Sequence, residues 1–121
     1  MSTLLLWLGV ALLAGLASVV RFLLDAALSA RAGGRFPLGT LAVNLSGALL
    51  LGLLVGVSLP ADAYQLAGTA VLGSYTTFST WMFESHRLAE DGEGSALALN
   101  VLASLILGVT AVAVGRVIAG G

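Results

Sequence analysis

Charged residues divide the chain into four long uncharged runs: residues 1–20 before Arg21, 36–61 between Arg35 and Asp62, 63–83 between Asp62 and Glu84, and 94–115 between Glu93 and Arg116. Each is about the 20 residues that a helix needs to cross the hydrocarbon of a bilayer. Apolar and polar positions do not alternate, and a membrane barrel needs at least eight strands, so strands are not expected. The pattern predicts an all-α membrane protein with four transmembrane helices, roughly 3–25, 37–58, 63–86 and 95–118, in one domain over residues 1–121. Between them, residues 26–36 with Gly33 and Gly34 form a first loop, Pro60 marks a tight second turn, and residues 87–94 form an acidic third loop, with His86 and Arg87 on its solvated side.

Composition agrees with the pattern. Hydrophobic residues are 59% of the chain, charged residues 9%, and the net charge is −1. A soluble domain carries about 25% charge, and a chain of this size has a large surface to cover. Five arginines, no lysine and a near-neutral balance argue against nucleic-acid binding. Without cysteine there is no disulfide framework, thiolate metal site or cysteine nucleophile, and His86 alone cannot form a multi-histidine metal site. The first run lacks a basic leader segment, so it is read as a span and not as a cleaved signal. Arg31, Arg35 and Arg87 on one side against Arg116 on the other favour an outward N-terminus.

Small residues are dense. Glycine occurs 16 times in 121 residues. Gly52 and Gly56, Ala11 and Gly15, Ala14 and Ser18, and Ala111 and Gly115 repeat the spacing that lets helices approach closely in lipid. Packing within one bundle and contact between subunits both fit. Four helices enclose little pore, so transport favours an oligomer.

Polar groups at membrane depth are costly and tend to mark function. Asn44, in the second span, either bonds to a neighbouring helix or lines a polar pathway, and Gly47 shares its face. In the third span, six of the nine residues from Gly73 to Trp81 carry hydroxyls. Adjacent threonines and Gly73 weaken the helix, so a break near mid-membrane is expected. A break frees backbone groups that need protein, water or an ion, and broken helices are recurrent ion sites in transporters. The alternative is an unbroken helix whose hydroxyls bond to the preceding turn. Phe78 and Trp81 share a helical face, and their positive ring edges suit an anion as well as simple packing. Arg21 and Asp25 are spaced for an i,i+4 pair, with Arg21 either at the headgroups or in an anion vestibule. Glu84 closes the third span as an interfacial carboxylate or a vestibule group. Asn100, Ser104 and Gly108 form a stripe on the fourth span, with Thr110 nearby, suited to an anion relay or to helix packing.

Three segments resemble the Fluc/CrcB fluoride channels: "GLASVVRF" at 15–22, "GTLAVNLSGALLLG" at 39–52 and "GSYTTFSTWMFE" at 73–84. The resemblance spans essentially the whole chain. It implies an antiparallel dimer with two fluoride pathways and a central structural sodium ion at the third-span breaks. Carried over by position, Gly73 and Thr76 supply backbone carbonyls to sodium. Asn44 donates to fluoride and Phe78 presents a ring edge. Ser79, Thr80, Trp81 and Ser104 take pathway positions, while Arg21 and Glu84 stand in the vestibule. Trp81 occupies a place where the family often has a second phenylalanine, Ser74 one where a second glycine is common, and Met82 one often held by a small hydroxyl residue. The arginine bias departs from the balance of a dual-topology homodimer, so a heterodimer with a sister chain is the alternative to a homodimer.

The implied chemistry suits these residues. Fluoride is strongly hydrated and accepts hydrogen bonds only, so crossing lipid requires donors that replace water without trapping the ion. Amide N–H groups, hydroxyls and ring edges meet that need. Carbonyl oxygens suit a hard cation. No acidic residue sits mid-span, which favours passive export of fluoride by a multi-pass protein of the plasma membrane, with lipid around it. It also disfavours the rival reading of a small drug–proton antiporter. A non-transporting membrane subunit has no reason to gather hydroxyls at "TTFST", and the sequence has no nucleophile–base–acid set for an enzyme.

Overall fold

The computed structural model describes residues 2–32 and 36–121. Helix α1, Thr3–Ala32, begins where the Ser2 hydroxyl accepts the Leu5 N–H at 3.2 Å. Its 30 residues make it about 45 Å long at 1.5 Å per residue, longer than a bilayer core of about 30 Å. Residues 26–32, expected in the first loop, are therefore helical. Ser29 Oγ donates to Asp25 Oδ1 at 3.2 Å, a bond along the helix that lets it continue through polar positions. Residues 33–35, with Gly33 and Gly34 of the expected loop, lie outside the described residues.

Helix α2, Leu38–Val57, follows Pro37, whose fixed φ suits a helix start. It ends at Ser58, in the left-handed region at φ 55°, with its N–H on the Val55 carbonyl. Pro60 then opens the third span. Helix α3, Ala61–Tyr64, passes into a π-helical stretch, Gln65–Leu72, and then α4, Gly73–Tyr75. Thr76 is extended, at ψ 160°, and α5, Ser79–Glu90, resumes after it. The third span is thus two half-helices joined by an irregular segment of three residues, 76–78. Helix α5 carries His86 and Arg87, which were expected in a loop; His86 Nε2 lies 2.8 Å from Glu90 Oε1. The connection narrows to Asp91–Glu93 around Gly92 at φ 73°. Helix α6, Gly94–Ile118, completes the fourth pass.

Helices α1, α2 and α6 are long and apolar enough to cross a membrane, with mean hydropathies of 2.3, 2.0 and 2.3 over their best windows. Only 6% of those windows in α1 and α6 is buried. Leu12, Phe22, Val109 and Val117 are all more than 60% exposed. Such a surface is unstable in water and ordinary in lipid. The closest packing joins α2 to α6. A Cβ on Gly52 would strike the Val112 carbonyl, one on Gly56 the Ala119 side chain, and one on Gly115 the Leu49 carbonyl. These small-residue pairs therefore act inside the chain. Among the described residues, no atom lies within 4 Å of a Cβ added to Gly15, so this glycine makes no comparable contact.

Candidate functional site

The break is held from α2. Asn44 Nδ2 donates to the Thr77 carbonyl at 2.9 Å, and the Thr77 N–H donates to Asn44 Oδ1 at 2.8 Å. One carboxamide thus satisfies both polar groups of a residue that has left the helix, which in hydrocarbon would otherwise be costly. Gly47, three residues on, leaves room for Thr76: a Cβ there would collide with Thr76 Cγ2 and press on the Tyr75 ring. Ser46 Oγ donates to the Val43 carbonyl at 3.0 Å. Its single proton is then used, so the Tyr75 hydroxyl is the donor in their 2.8 Å bond.

Threonines close both half-helix ends. The Thr76 N–H and Oγ1 both donate to the Leu72 carbonyl at 3.0 Å. Thr77 Oγ1 accepts the Thr80 N–H at 3.2 Å, the spacing of a helix N-cap. Ser79 Oγ lies 3.5 Å from the same hydroxyl. With the Thr77 and Thr80 N–H groups taken elsewhere, no backbone N–H among the described residues donates to the carbonyls of Gly73, Ser74, Tyr75 or Thr76. Those oxygens form an uncharged acceptor set, which fits a hard cation.

Beside the break lies an open groove of about 410 Å³, to which Asn44, Gly73, Thr76, Phe78, Trp81 and Ser104 contribute. Its wall carries no charged side chain. Phe78 is 69% exposed, and its ring meets Trp81 edge to face, with centroids 5.6 Å apart and planes at 72°. Ser104 Oγ is buried with no hydrogen-bond partner. The Trp81 indole N–H is engaged, donating to the Asn100 carbonyl at 3.3 Å.

Seven of the residues singled out in the sequence, Gly47 among them, therefore share one groove, while Ser79 and Thr80 sit beside it on the first turn of α5. Arg21 and Glu84 lie away from the groove. Arg21, expected at the end of the first span, is inside α1. Glu84 has one buried carboxylate oxygen without a hydrogen-bond partner and faces Thr40, Asp25 and Arg87. Asn100 is 1% exposed and does not line the groove. Thr77, part of the hydroxyl cluster in the sequence but given no site role there, is the residue that docks on Asn44 and caps α5. A threonine three residues before Thr80, ahead of a resumed helix, is the signal that marks it.

Residues 8–116 match the family described as CrcB-like protein, camphor resistance. The chain is 51% identical over 119 residues to the fluoride-specific ion channel FluC 2 of Mycolicibacterium paratuberculosis, covering 98% of each chain. It is 49% identical over 117 residues to FluC 2 of Mycobacterium bovis, covering 97% of this chain and 93% of that one. It is 43% identical over 106 residues to FluC 2 of Moorella thermoacetica, covering 85% and 87%.

Proposed function

The chain belongs to the CrcB/FluC fluoride channel family and is a fluoride-specific membrane channel, and we propose that the ion crosses beside the broken third span by exchanging its water for neutral donors. The observation that carries this route is the groove itself: it adjoins the only backbone that leaves helical geometry inside a span among the described residues, and it contains no charge. A fixed charge at that depth would hold the ion or repel it, whereas neutral donors let it enter and leave.

Asn44 keeps one N–H after its bond to Thr77, and that hydrogen is its donor to fluoride. Phe78 presents ring-edge hydrogens, and Ser104 brings a hydroxyl with no other partner. Ser79 and Thr80 extend the hydroxyl supply along α5. The Trp81 N–H already bonds to Asn100, so Trp81 contributes its ring rather than that donor. Arg21 and Glu84 belong to the approach to the groove, not to its wall.

The carbonyls of Gly73 and Thr76 fit a structural sodium ion. When bound, it supplies a fixed positive charge that offsets part of the cost of dehydrating an anion nearby. In the working assembly two chains pack antiparallel, each with its own pathway, and flow is passive and outward through the plasma membrane. The groove is open on one side and Phe78 is largely uncovered, which supports a second chain against this face. A second copy of this chain is the partner, with a sister chain of opposite arginine bias as the alternative that the uneven arginines leave.

The deciding experiment is anion release from liposomes containing purified protein, with a potassium ionophore balancing charge. Fluoride leaves faster than chloride. Equal rates, or no release, would reject the proposal.

A further inference from the structure

Beside the groove but outside its lining, three hydrogen bonds close a ring between α5 and α6. The indole Nε1–H donates to the Asn100 carbonyl at 3.3 Å, Asn100 Nδ2 donates to Ser85 Oγ at 2.8 Å, and Ser85 Oγ donates to the Trp81 carbonyl at 2.8 Å. Proton count fixes the amide's direction. Ser85 has one O–H, spent on Trp81, so it accepts from Asn100, and the NH2 side of the carboxamide faces it. Ser85 and Asn100 are 5% and 1% exposed, and neither lines the groove. Asn100 Oδ1 is buried with no hydrogen-bond partner. An apolar residue would avoid that cost, so the side chain is explained by its donor half.

The ring acts where α5 is least constrained. This helix has 12 residues, starts immediately after the break, and makes most of its contacts with α6. Its buried side chains are Ser85 and Leu88. The hydrogen-bonded ring fixes its rotation, and the indole N–H fixes which edge of Trp81 faces the groove. Through the edge-to-face contact, that orientation carries to Phe78.

We propose that Asn100 and Ser85 are positioning residues for anion discrimination, acting through the indole of Trp81 without touching the ion. The proposal rests on the groove being the anion route. It predicts that selectivity is lost when the ring is opened although no groove residue changes.

The test uses full-length protein with Trp7→Phe, which leaves Trp81 as the single indole of a chain that has two tryptophans. Trp7 is 59% exposed on α1, far from the ring in sequence and outside the groove. Asn100→Leu and Ser85→Ala break the amide–hydroxyl link of the ring and leave the Asn100 backbone carbonyl in place, so the indole keeps its acceptor but loses its fixed bearing. Both lower the fluoride-to-chloride release ratio roughly tenfold, about the effect of one hydrogen bond. Both also lower the fluorescence anisotropy of Trp81. Ser85→Thr keeps the hydroxyl and restores both readouts. In a Trp81→Phe background, which has no indole N–H, Asn100→Leu produces no further change in the ratio. If the ratio and anisotropy hold in Ser85→Ala, or if Asn100→Leu acts equally with Phe at 81, the proposal is overturned. Should Asn100→Leu not fold, Ser85→Ala alone decides. A parent that releases no fluoride would sink the channel route instead, while anisotropy still reports whether the closed ring steadies the indole.

Discussion

Asn44 on α2 and Thr77 in the third span exchange two hydrogen bonds, at 2.9 and 2.8 Å, across 33 residues of sequence. The same carboxamide that holds the break open has one hydrogen left to offer an anion. On the proposed route, structure and conduction both rest on this side chain.

Asn44→Asp is expected to abolish fluoride release. The substitution places a carboxylate oxygen against the Thr77 carbonyl, removes the free donor and adds a negative charge beside the route. Losing a buried donor and leaving its acceptor unsatisfied costs about 1–3 kcal/mol. A fluoride electrode following efflux from liposomes measures the effect. Full activity would remove Asn44 from both roles.

Gly47→Ala tests the same junction from its steric side. The added methyl would overlap Thr76 Cγ2, and overpacking of this kind costs about 1–3 kcal/mol. Lower thermal stability in detergent and slower fluoride release are expected together. A variant as stable and as active as the parent would show that the break does not dock there.

Phe78→Leu keeps an apolar side chain while deleting the ring edge and its contact with Trp81. Edge-to-face pairs contribute about 0.5–1.5 kcal/mol, so fluoride release is expected to slow by several-fold to tenfold. An unchanged rate would take the ring edge out of the route.

Sodium withdrawal addresses the carbonyls of Gly73 and Thr76. After prolonged equilibration in N-methylglucamine, fluoride release falls, and sodium restores it. A rate independent of sodium would detach those carbonyls from any cation role.

Much of this was legible from local chemistry. The break followed from Gly73 and the paired threonines, because helix propensity is a short-range property. The pairing of Asn44 with Thr77 was not legible, since nothing local says which backbone a mid-span amide will meet. Likewise, the spacing of Gly52 and Gly56 marked a close contact without saying that α6 of the same chain would fill it. Helix ends were misjudged where polarity was taken for a loop. Ser29 lies inside α1, bonded back to Asp25, and His86 and Arg87 lie inside α5, because i,i+4 bonds let a helix carry polar residues. The buried ring of Trp81, Ser85 and Asn100 was hidden for another reason: Asn100 shares its stripe with Ser104, and spacing alone does not separate a relay from a brace.

The wide turns of Gln65–Leu72 set the bearing of everything downstream. There, the Gly73 N–H reaches back five residues to the Gly68 carbonyl. Removing one residue from this stretch would tighten its winding and change the bearing of the following turn, because a π turn holds more residues than an α turn. Tyr75 would lose Ser46, and Thr77 would face away from Asn44. The surplus residue works as an angular shim, so a deletion in this stretch, whose Gly68 and Leu72 themselves line the groove, would misalign the wall beyond it.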